Sequence, residues 1–280
     1  MSDPASIADS FSPDRYQQFR RERERAGADL MAELPELDGA TAVVDLGCGT
    51  GSFTAQLADF FPGAAVTGVD ASPAMLAKAE AISDQVSWMQ MDIGEWQAPV
   101  LMDLIWSNAA LHWLPDHETL FTRLAESLKA GGVLAVQMPR NHAAPSHSIL
   151  RQICQKGPWA ERLADDLAEE PVQKPMFYYD LLAPYCDSVD VWETTYLHVL
   201  TGEDAVLDWM SGTTMAPILT KLDEDEREKF LSVMQRELAK AYPIREDGTT
   251  LLPFKRLFIM ATRTANAPIE VEEDEGGQEE

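Results

Sequence analysis

Between residues 41 and 138 the apolar positions alternate between a period of two and a period near 3.6. Thr41–Leu46 (TAVVDL) is a short β-branched apolar run that ends in a glycine cluster. From Ser52 to Phe61, Phe53, Leu57, Phe60 and Phe61 form an apolar stripe at helical spacing, which Pro62 and Gly63 stop. Ala65–Asp70 predicts a second strand, and Ser72-Pro73 opens a second helix with a cap residue followed by first-turn proline. Val86–Gln90, Asp103–Ser107 and Gly132–Met138 predict three further strands, with a helix over Asp116–Lys129 ended by Gly131 and Gly132.

After Met138 the rhythm breaks. Short helical patterns up to about residue 184 are punctuated by Pro145, Pro158, Pro171, Pro175 and Pro184. Val189–Leu200 (VDVWETTYLHVL) predicts a strand rich in aromatic and β-branched residues, Asp204–Ser211 and Glu224–Tyr242 predict helices, and Phe254–Thr262 closes with a strand. The expected fold class is α/β: a doubly wound, mostly parallel, seven-stranded sheet with helices on both faces and a helical lid insertion. One domain over residues 15–265 is expected, with the lid at about 139–188 and 203–222. A flexible N-terminus (1–14) and an acidic disordered tail (266–280) flank it. In such sheets ligands bind at the carboxyl ends of the strands, which directs attention to the loops after Leu46, Asp70, Gln90 and Ser107.

Composition narrows the function classes. The 280 residues carry 22 Lys and Arg against 47 Asp and Glu, a formal charge of −25, with 45% apolar content. Seven of the acids lie in Glu270–Glu280, and setting them aside still leaves −18 on the rest. Such a charge argues against nucleic acid or an anionic membrane as partner. Cys48, Cys154 and Cys186 are too few and too scattered for a disulfide framework, and no pair has metal-like spacing, so no metal site is expected. With no leader-like N-terminal run and no stretch of 18 apolar residues, a cytoplasmic protein is expected, as a monomer or weak homodimer.

The first chemical signal is Asp45-Leu46-Gly47-Cys48-Gly49-Thr50-Gly51. Glycines between a strand and a helix let backbone approach a ligand closely and leave N–H groups exposed at the helix start. The spacing is G-x-G-x-G, which disfavours the G-x-G-x-x-G of NAD-dependent oxidoreductases. Asp70, at the end of the second strand, can accept both hydroxyls of a ribose, and Asp92, at the end of the third, can meet an adenine amino group.

These motifs resemble those of class I methyltransferases that use S-adenosylmethionine. D-L-G-C-G-T-G (45–51), G-V-D-A-S (68–72) and the Asp92 strand end match in order and spacing. S-P-A-M (72–75), W-L-P-D-H (113–117), G-V-L-A-V-Q-M-P (132–139), W-E-T-T-Y-L-H (192–198), F-Y-Y-D (177–180) and R-L-F-I (256–259) are similar to the narrower trans-aconitate 2-methyltransferase family. The resemblance covers roughly residues 15 to 260. It implies S-adenosyl-L-methionine as cofactor, held by Asp45, Gly47, Cys48, Gly49, Gly51, Asp70, Ala71, Met75, Asp92, Ile93 and Asn108. It also implies a small-molecule carboxylate substrate, most simply trans-aconitate, esterified without a general base because a carboxylate is already ionised at neutral pH.

Candidate substrate-binding residues are Tyr16, Arg25, Trp113, Tyr178, Tyr179, Tyr196, His198 and Arg256. Arg25 closes the densest cation cluster, Arg20, Arg21, Arg23 and Arg25, which can equally be a solvated face paired with Glu22 and Glu24. Each aromatic of the set can equally be a satisfied core residue. His112 stands where the family also carries glutamine, which argues against an acid–base role. The family pattern G-L-R-P is here Thr214-Met215-Ala216-Pro217, so an arginine is replaced by Ala216, for which Arg140 is a candidate substitute. Alternatives are another small carboxylic acid, a malonyl-carrier ester, or a non-catalytic module that binds the cofactor.

Overall fold

A computed structural model describes residues 20–163 and 172–265, the first four of them as backbone only. The expected N-terminus 1–14, Tyr16 and the acidic tail 266–280 lie outside the described residues, as do the side chains of Arg20, Arg21 and Arg23. The elements run α1 (Arg20–Ala32), β1 (Ala42–Leu46), α2 (Ser52–Phe60), β2 (Ala65–Asp70), α3 (Pro73–Glu80), β3 (Ser87–Gln90) and β4 (Met102–Asn108). A 3₁₀ turn (Leu111–Trp113), α4 (His117–Glu126) and β5 (Leu128–Pro139) follow. The remainder is α5 (Pro145–Cys154), α6 (Ala160–Leu163), α7 (Pro175–Leu182), β6 (Cys186–Thr201), α8 (Ala205–Ser211), α9 (Ala216–Leu219), α10 (Glu224–Ala241) and β7 (Thr249–Arg263).

The seven strands form one sheet in the order β3-β2-β1-β4-β5-β7-β6. β1 to β5 pair in parallel, while β7 runs antiparallel between β5 and β6. This is the expected doubly wound architecture, with the direction reversed at one strand. Several boundaries differ from the sequence pattern, β6 and β7 each beginning earlier than expected. α4 ends at Glu126, and Gly131 and Gly132 lie inside β5 instead of terminating the helix. The reason is steric: a Cβ at Gly132 would stand 2.7 Å from the Met102 carbonyl, where the β4–β5 register shifts. β3 ends at Gln90 as its pattern predicts, so Asp92 stands two residues beyond the strand and not at its end.

Alternation along the central strands divides the core between the two faces. Leu134, Val136, Met138, Leu257 and Ile259 pack with α4 and α7 on one face. Leu104, Trp106, Val133, Ala135 and Phe258 pack with α1 and α2 on the other. A third cluster joins α5, α6, α8, α9 and α10 to the ends of β6 and β7 through Trp209, Phe230, Leu200 and Phe254. α7, within the segment expected as lid, instead buries Tyr178 and Leu182 in the sheet core. α10, outside that segment, is part of the third cluster.

At the amino ends of the strands Asp103 gathers three elements. Its Oδ2 accepts the amides of Thr41 at 2.8 Å and Ala42 at 2.9 Å and the ammonium of Lys129 at 2.7 Å. Burial works against the charge, yet Lys129 and the two amides hold the carboxyl below its ordinary range. At the opposite edge Asp45, 2% exposed, accepts the Thr54 hydroxyl at 2.6 Å and so ties β1 to the first turn of α2. Burial pushes the Asp45 carboxyl up to about 7; the Thr54 bond pulls it down and the Asp70 charge adds to the rise.

Two outcomes follow from these carboxyls. Asp103→Ala loses about 1–3 kcal/mol of unfolding free energy in urea titrations at pH 7. That loss begins to shrink below about pH 4, where the carboxyl protonates in the unfolded chain, and is smallest only once pH has also passed the lowered native pKa; an unchanged midpoint at pH 7 would deny the node any energetic role. Asp45 keeps its proton in the native state between about pH 4 and pH 7 while the unfolded chain has lost it, so its contribution falls as pH rises through that window. Asp45→Asn, neutral throughout and still able to accept from Thr54, gains stability over the wild type from pH 4 to 7. Paired melting curves read the difference, and a flat difference contradicts the burial of this charge.

Candidate active site at the carboxyl edge of the sheet

The loop after β1 is built for close approach. Gly47, Gly49 and Gly51 all take positive φ, at 79°, 55° and 79°. A Cβ on Gly47 would stand 2.1 Å from that of Ala110, and one on Gly51 would meet Trp88 at 2.5 Å, so both positions need glycine twice over. A Cβ on Gly49 would meet nothing within 4 Å, which leaves open space over the loop. The amides of Gly47 and Cys48 donate to the Val69 carbonyl at 2.8 and 3.0 Å, and that of Gly49 donates to Asp70 Oδ2 at 2.8 Å. The other oxygen of Asp70 accepts the Ser72 amide at 2.9 Å, and Ser72 also caps α3 over Met75. Asp70 is thus fixed beside the loop, half-buried, with lone pairs left for further donors. Burial raises its carboxyl despite the two amides that favour the charge.

The neighbours complete a cradle. Asp92 holds the Gly94 amide at 2.8 Å on one oxygen, and Ile93 lies within reach of Gly47. Ala71 and Met75 are half-buried at the start of α3. Asn108 ends β4 with its Oδ1 sealed from solvent and without a hydrogen-bond partner among the described residues. Two members of the predicted set stand in other surroundings. The Asp45 carboxyl is turned to the Thr54 hydroxyl on α2. The Cys48 thiol is held far above its ordinary range by burial and by Asp45 and Asp70, so this residue contributes backbone and no nucleophile.

α1 lies across this edge. Gly27 is pressed so closely that a Cβ would meet Phe53 at 2.4 Å and Asn108 Nδ2 at 2.9 Å. Asp29 accepts the Tyr196 hydroxyl at 2.6 Å, and the Arg25 guanidinium stands over the Tyr196 ring at 5.2 Å. Burial and the Asp29 contact raise the Tyr196 phenol, so the proton stays on Tyr196. Beyond them lies Arg256, 4% exposed, with Nη1 donating to Gln137 Oε1 at 3.3 Å and the guanidinium over Phe254 at 4.7 Å. Cofactor cradle, α1 and Arg256 therefore share one corner of the molecule.

Several expected substrate contacts are corrected. The Tyr178 hydroxyl donates to His117 Nδ1 at 2.6 Å and accepts the Gln173 amide at 3.0 Å in the core, because α7 packs on α4. Tyr179, 51% exposed, lies on the solvent side of α7. His198 packs as a core aromatic against Trp209 at 4.8 Å and Phe254 at 5.7 Å. Arg140, the candidate substitute for the expected arginine, is held by Glu193 at 2.9 Å and the Gln173 carbonyl, while Ala216 is buried at the start of α9. Trp113 is 42% exposed and rests on His112 with ring centres 4.7 Å apart. Arg25 remains at the rim.

Sequence reasoning missed Gln137, Asp29 and Trp88. Gln137 had a legible signal, being the one polar side chain in the apolar run G-V-L-A-V-Q-M-P. His112, near Arg256, is pushed down to about 3 by burial, with the charges of Arg256, His117 and His147 adding. It is a neutral imidazole at any ordinary pH. Among the described residues there is no cluster of metal-ligating side chains and no helix long and apolar enough to cross a membrane.

Comparison with known proteins places this geometry. Residues 43–132 match the family model described as a methyltransferase domain. Trans-aconitate 2-methyltransferase of Azoarcus sp. (strain BH72) is 45% identical over 254 residues, covering 91% of this chain and 99% of the relative. Among solved structures, a phosphoethanolamine N-methyltransferase of Haemonchus contortus in complex with S-adenosylhomocysteine is similar at TM-score 0.50 and 16% identity, over 86% of this chain and 52% of that one. The YcgJ protein of Bacillus subtilis is similar at TM-score 0.52 and 15% identity, over 85% and 97%. The structural likenesses carry the fold alone. With the sequence identity spread over almost the whole described chain, the protein belongs to the trans-aconitate 2-methyltransferase family.

Proposed function

We propose that this chain is an S-adenosylmethionine-dependent O-methyltransferase that esterifies a carboxylate of trans-aconitate. The observation that carries the reading is Arg256: a guanidinium sealed beside the glycine-loop cradle in a protein of charge −25. The Azoarcus relative's name supports the same substrate.

The cradle fits the cofactor. Gly47 and Gly49 keep side chains out of the space over the loop, and the fixed carboxylate of Asp70 suits a ribose diol. Asp92 suits the adenine amino group, Asn108 Oδ1 offers an acceptor for a cationic amino group, and Ala71, Met75 and Ile93 supply apolar walls. When bound, S-adenosylmethionine supplies a methyl group on a positively charged sulfur.

The chain's own part is binding, alignment and exclusion of water. Arg256 attracts the anionic substrate into a low-dielectric corner, and α1 with Tyr196 covers it. No residue need remove a proton, because the acceptor is ionised at neutral pH; the neutral His112 and the protonated Cys48 fit that requirement. Holding two reactants in line contributes about 7–11 kcal/mol of barrier reduction in favourable cases. The scattered free thiols of Cys48, Cys154 and Cys186 support work in the cytoplasm, and the net charge supports a free small acid over nucleic acid or membrane as partner.

Ala216 favours a second reading. Where the family pattern has arginine this chain buries an alanine, which suits a related acid with one anionic group fewer.

Three outcomes test the proposal. Purified protein with S-adenosylmethionine releases S-adenosylhomocysteine on addition of trans-aconitate, in a screen that includes cis-aconitate, isocitrate, citrate and malonyl carriers. Turnover of another acid without aconitate transfers the proposal to the second reading, and cofactor binding with no turnover of any acid leaves only a binding module. Asp70→Ala raises the cofactor Kd about tenfold or more by calorimetry, the loss of a charged hydrogen bond being about 1.5–3 kcal/mol; an unchanged Kd removes Asp70 from the ribose role. Arg256→Gln raises KM for the acid at least tenfold with the cofactor Kd little changed, and equal KM values would sink the anion role.

A further inference from the structure

Strand alternation places one polar row on the α1 face of the sheet. Gln137 follows Val133 and Ala135 on that face, Asn108 is its register partner on β4, and Arg256 lies one step beyond the Gln137–Phe258 pair on β7. Gln137 is 0% exposed, and its Nε2 finds no hydrogen-bond partner among the described residues. The amide cannot simply be reversed. Arg256 donates to Oε1, and turning the group would set its NH₂ against the guanidinium. The free amide hydrogens are therefore the group's working end.

A second buried polar nitrogen shows the same property. His112, on the 3₁₀ turn after β4, has Nδ1 sealed from water and no partner among the described residues. The turn that carries it packs on β5, where the Ala109 amide donates to the Gln137 carbonyl at 2.9 Å, and its ring feels the charge of Arg256. A neutral imidazole placed there can donate through one nitrogen without adding a second cation. Buried donors without acceptors are costly and rare, and an apolar residue would serve a purely structural role better. The Gln137 amide against the Arg256 guanidinium, with His112 on the adjoining turn, describes an acceptor that comes from outside, and the positive neighbour makes that acceptor an anion.

We propose that Gln137 and His112, together with Arg256, form the seat of one carboxylate of the substrate, and that the seated group is a spectator while another carboxylate of the same molecule is methylated. This rests on the reading of the chain as a carboxylate methyltransferase. Donors on both oxygens of a carboxylate withdraw its charge and weaken it as a nucleophile, so the seated group is the one held back. The site thereby demands at least two carboxylates, which selects polycarboxylic acids over simple ones.

The test uses the full chain loaded with S-adenosylhomocysteine and titrated with trans-aconitate by calorimetry. Gln137→Leu and His112→Leu each weaken acid binding at least tenfold, while affinity for S-adenosylhomocysteine stays within threefold of wild type. His112→Gln, which restores a donor, stays within threefold for the acid as well. Gln137→Glu covers the case in which Gln137→Leu does not fold: it keeps the shape, sets an anion in the seat and abolishes acid binding. Crotonate, a monocarboxylate, competes with trans-aconitate but is not methylated. Acid affinities within threefold of wild type in both leucine variants overturn the seat, and methylation of crotonate overturns the spectator assignment. Either result leaves the proposed reaction standing if the wild type still methylates trans-aconitate. Binding without methylation removes the reaction and keeps the seat, and a wild type that binds no polycarboxylate removes both.

Discussion

Arg256 is a cation taken out of water, in a chain whose surface charge would otherwise favour it most when exposed. A buried guanidinium is tolerated only where polar groups or an anion surround it, and the topology supplies that environment. The antiparallel insertion of β7 between β5 and β6 sets residue 256 opposite Pro139 and Thr194, at the level where β5 leaves the sheet. A parallel strand in that place would require a crossover and would carry a different set of side chains to the edge. Much of the corner answers to this residue: Gln137 turns its oxygen toward it, His112 is kept neutral partly by it, and Tyr196 feels its charge.

The two halves of the carboxyl edge use opposite means. Around β1 and β2 recognition rests on backbone, with glycines at positive φ and amides spent on Val69 and Asp70. Around β5 and β7 it rests on side chains projecting from the sheet face. α1 bridges the halves, pressing Gly27 against Phe53 and Asn108 on one side and holding Tyr196 through Asp29 on the other. The helices beyond β5 have a core of their own around Trp209 and Phe230, separate from the two clusters that pack on the sheet faces.

The strands and most helices were legible because each alternates or repeats over several residues, and Ser72-Pro73 announced its cap directly. Gly131-Gly132 misled because a glycine pair signals a helix stop in sequence, whereas here it clears the Met102 carbonyl, a neighbour 30 residues away. The cofactor loop was legible for the same local reason as the strands: its glycines stand together. The substrate corner was not, since it is assembled from β4, β5, β6, β7 and α1, and no local pattern says that Tyr178 faces His117 while Tyr196 faces Asp29. Gln137 was visible as an anomaly in an apolar run, but its meaning needed Arg256 beside it.

The thiol of Cys48 carries a last consequence. Peroxides and disulfides react with the thiolate, and burial, with the Asp45 and Asp70 carboxyls beside it, pushes this thiol in the glycine loop up and disfavours that form. A cysteine in the middle of a cofactor loop would ordinarily make methyl transfer hostage to the redox state of the cell. Here the same acids that stand beside the loop disfavour the thiolate, so the loop carries a cysteine without carrying a reactive one.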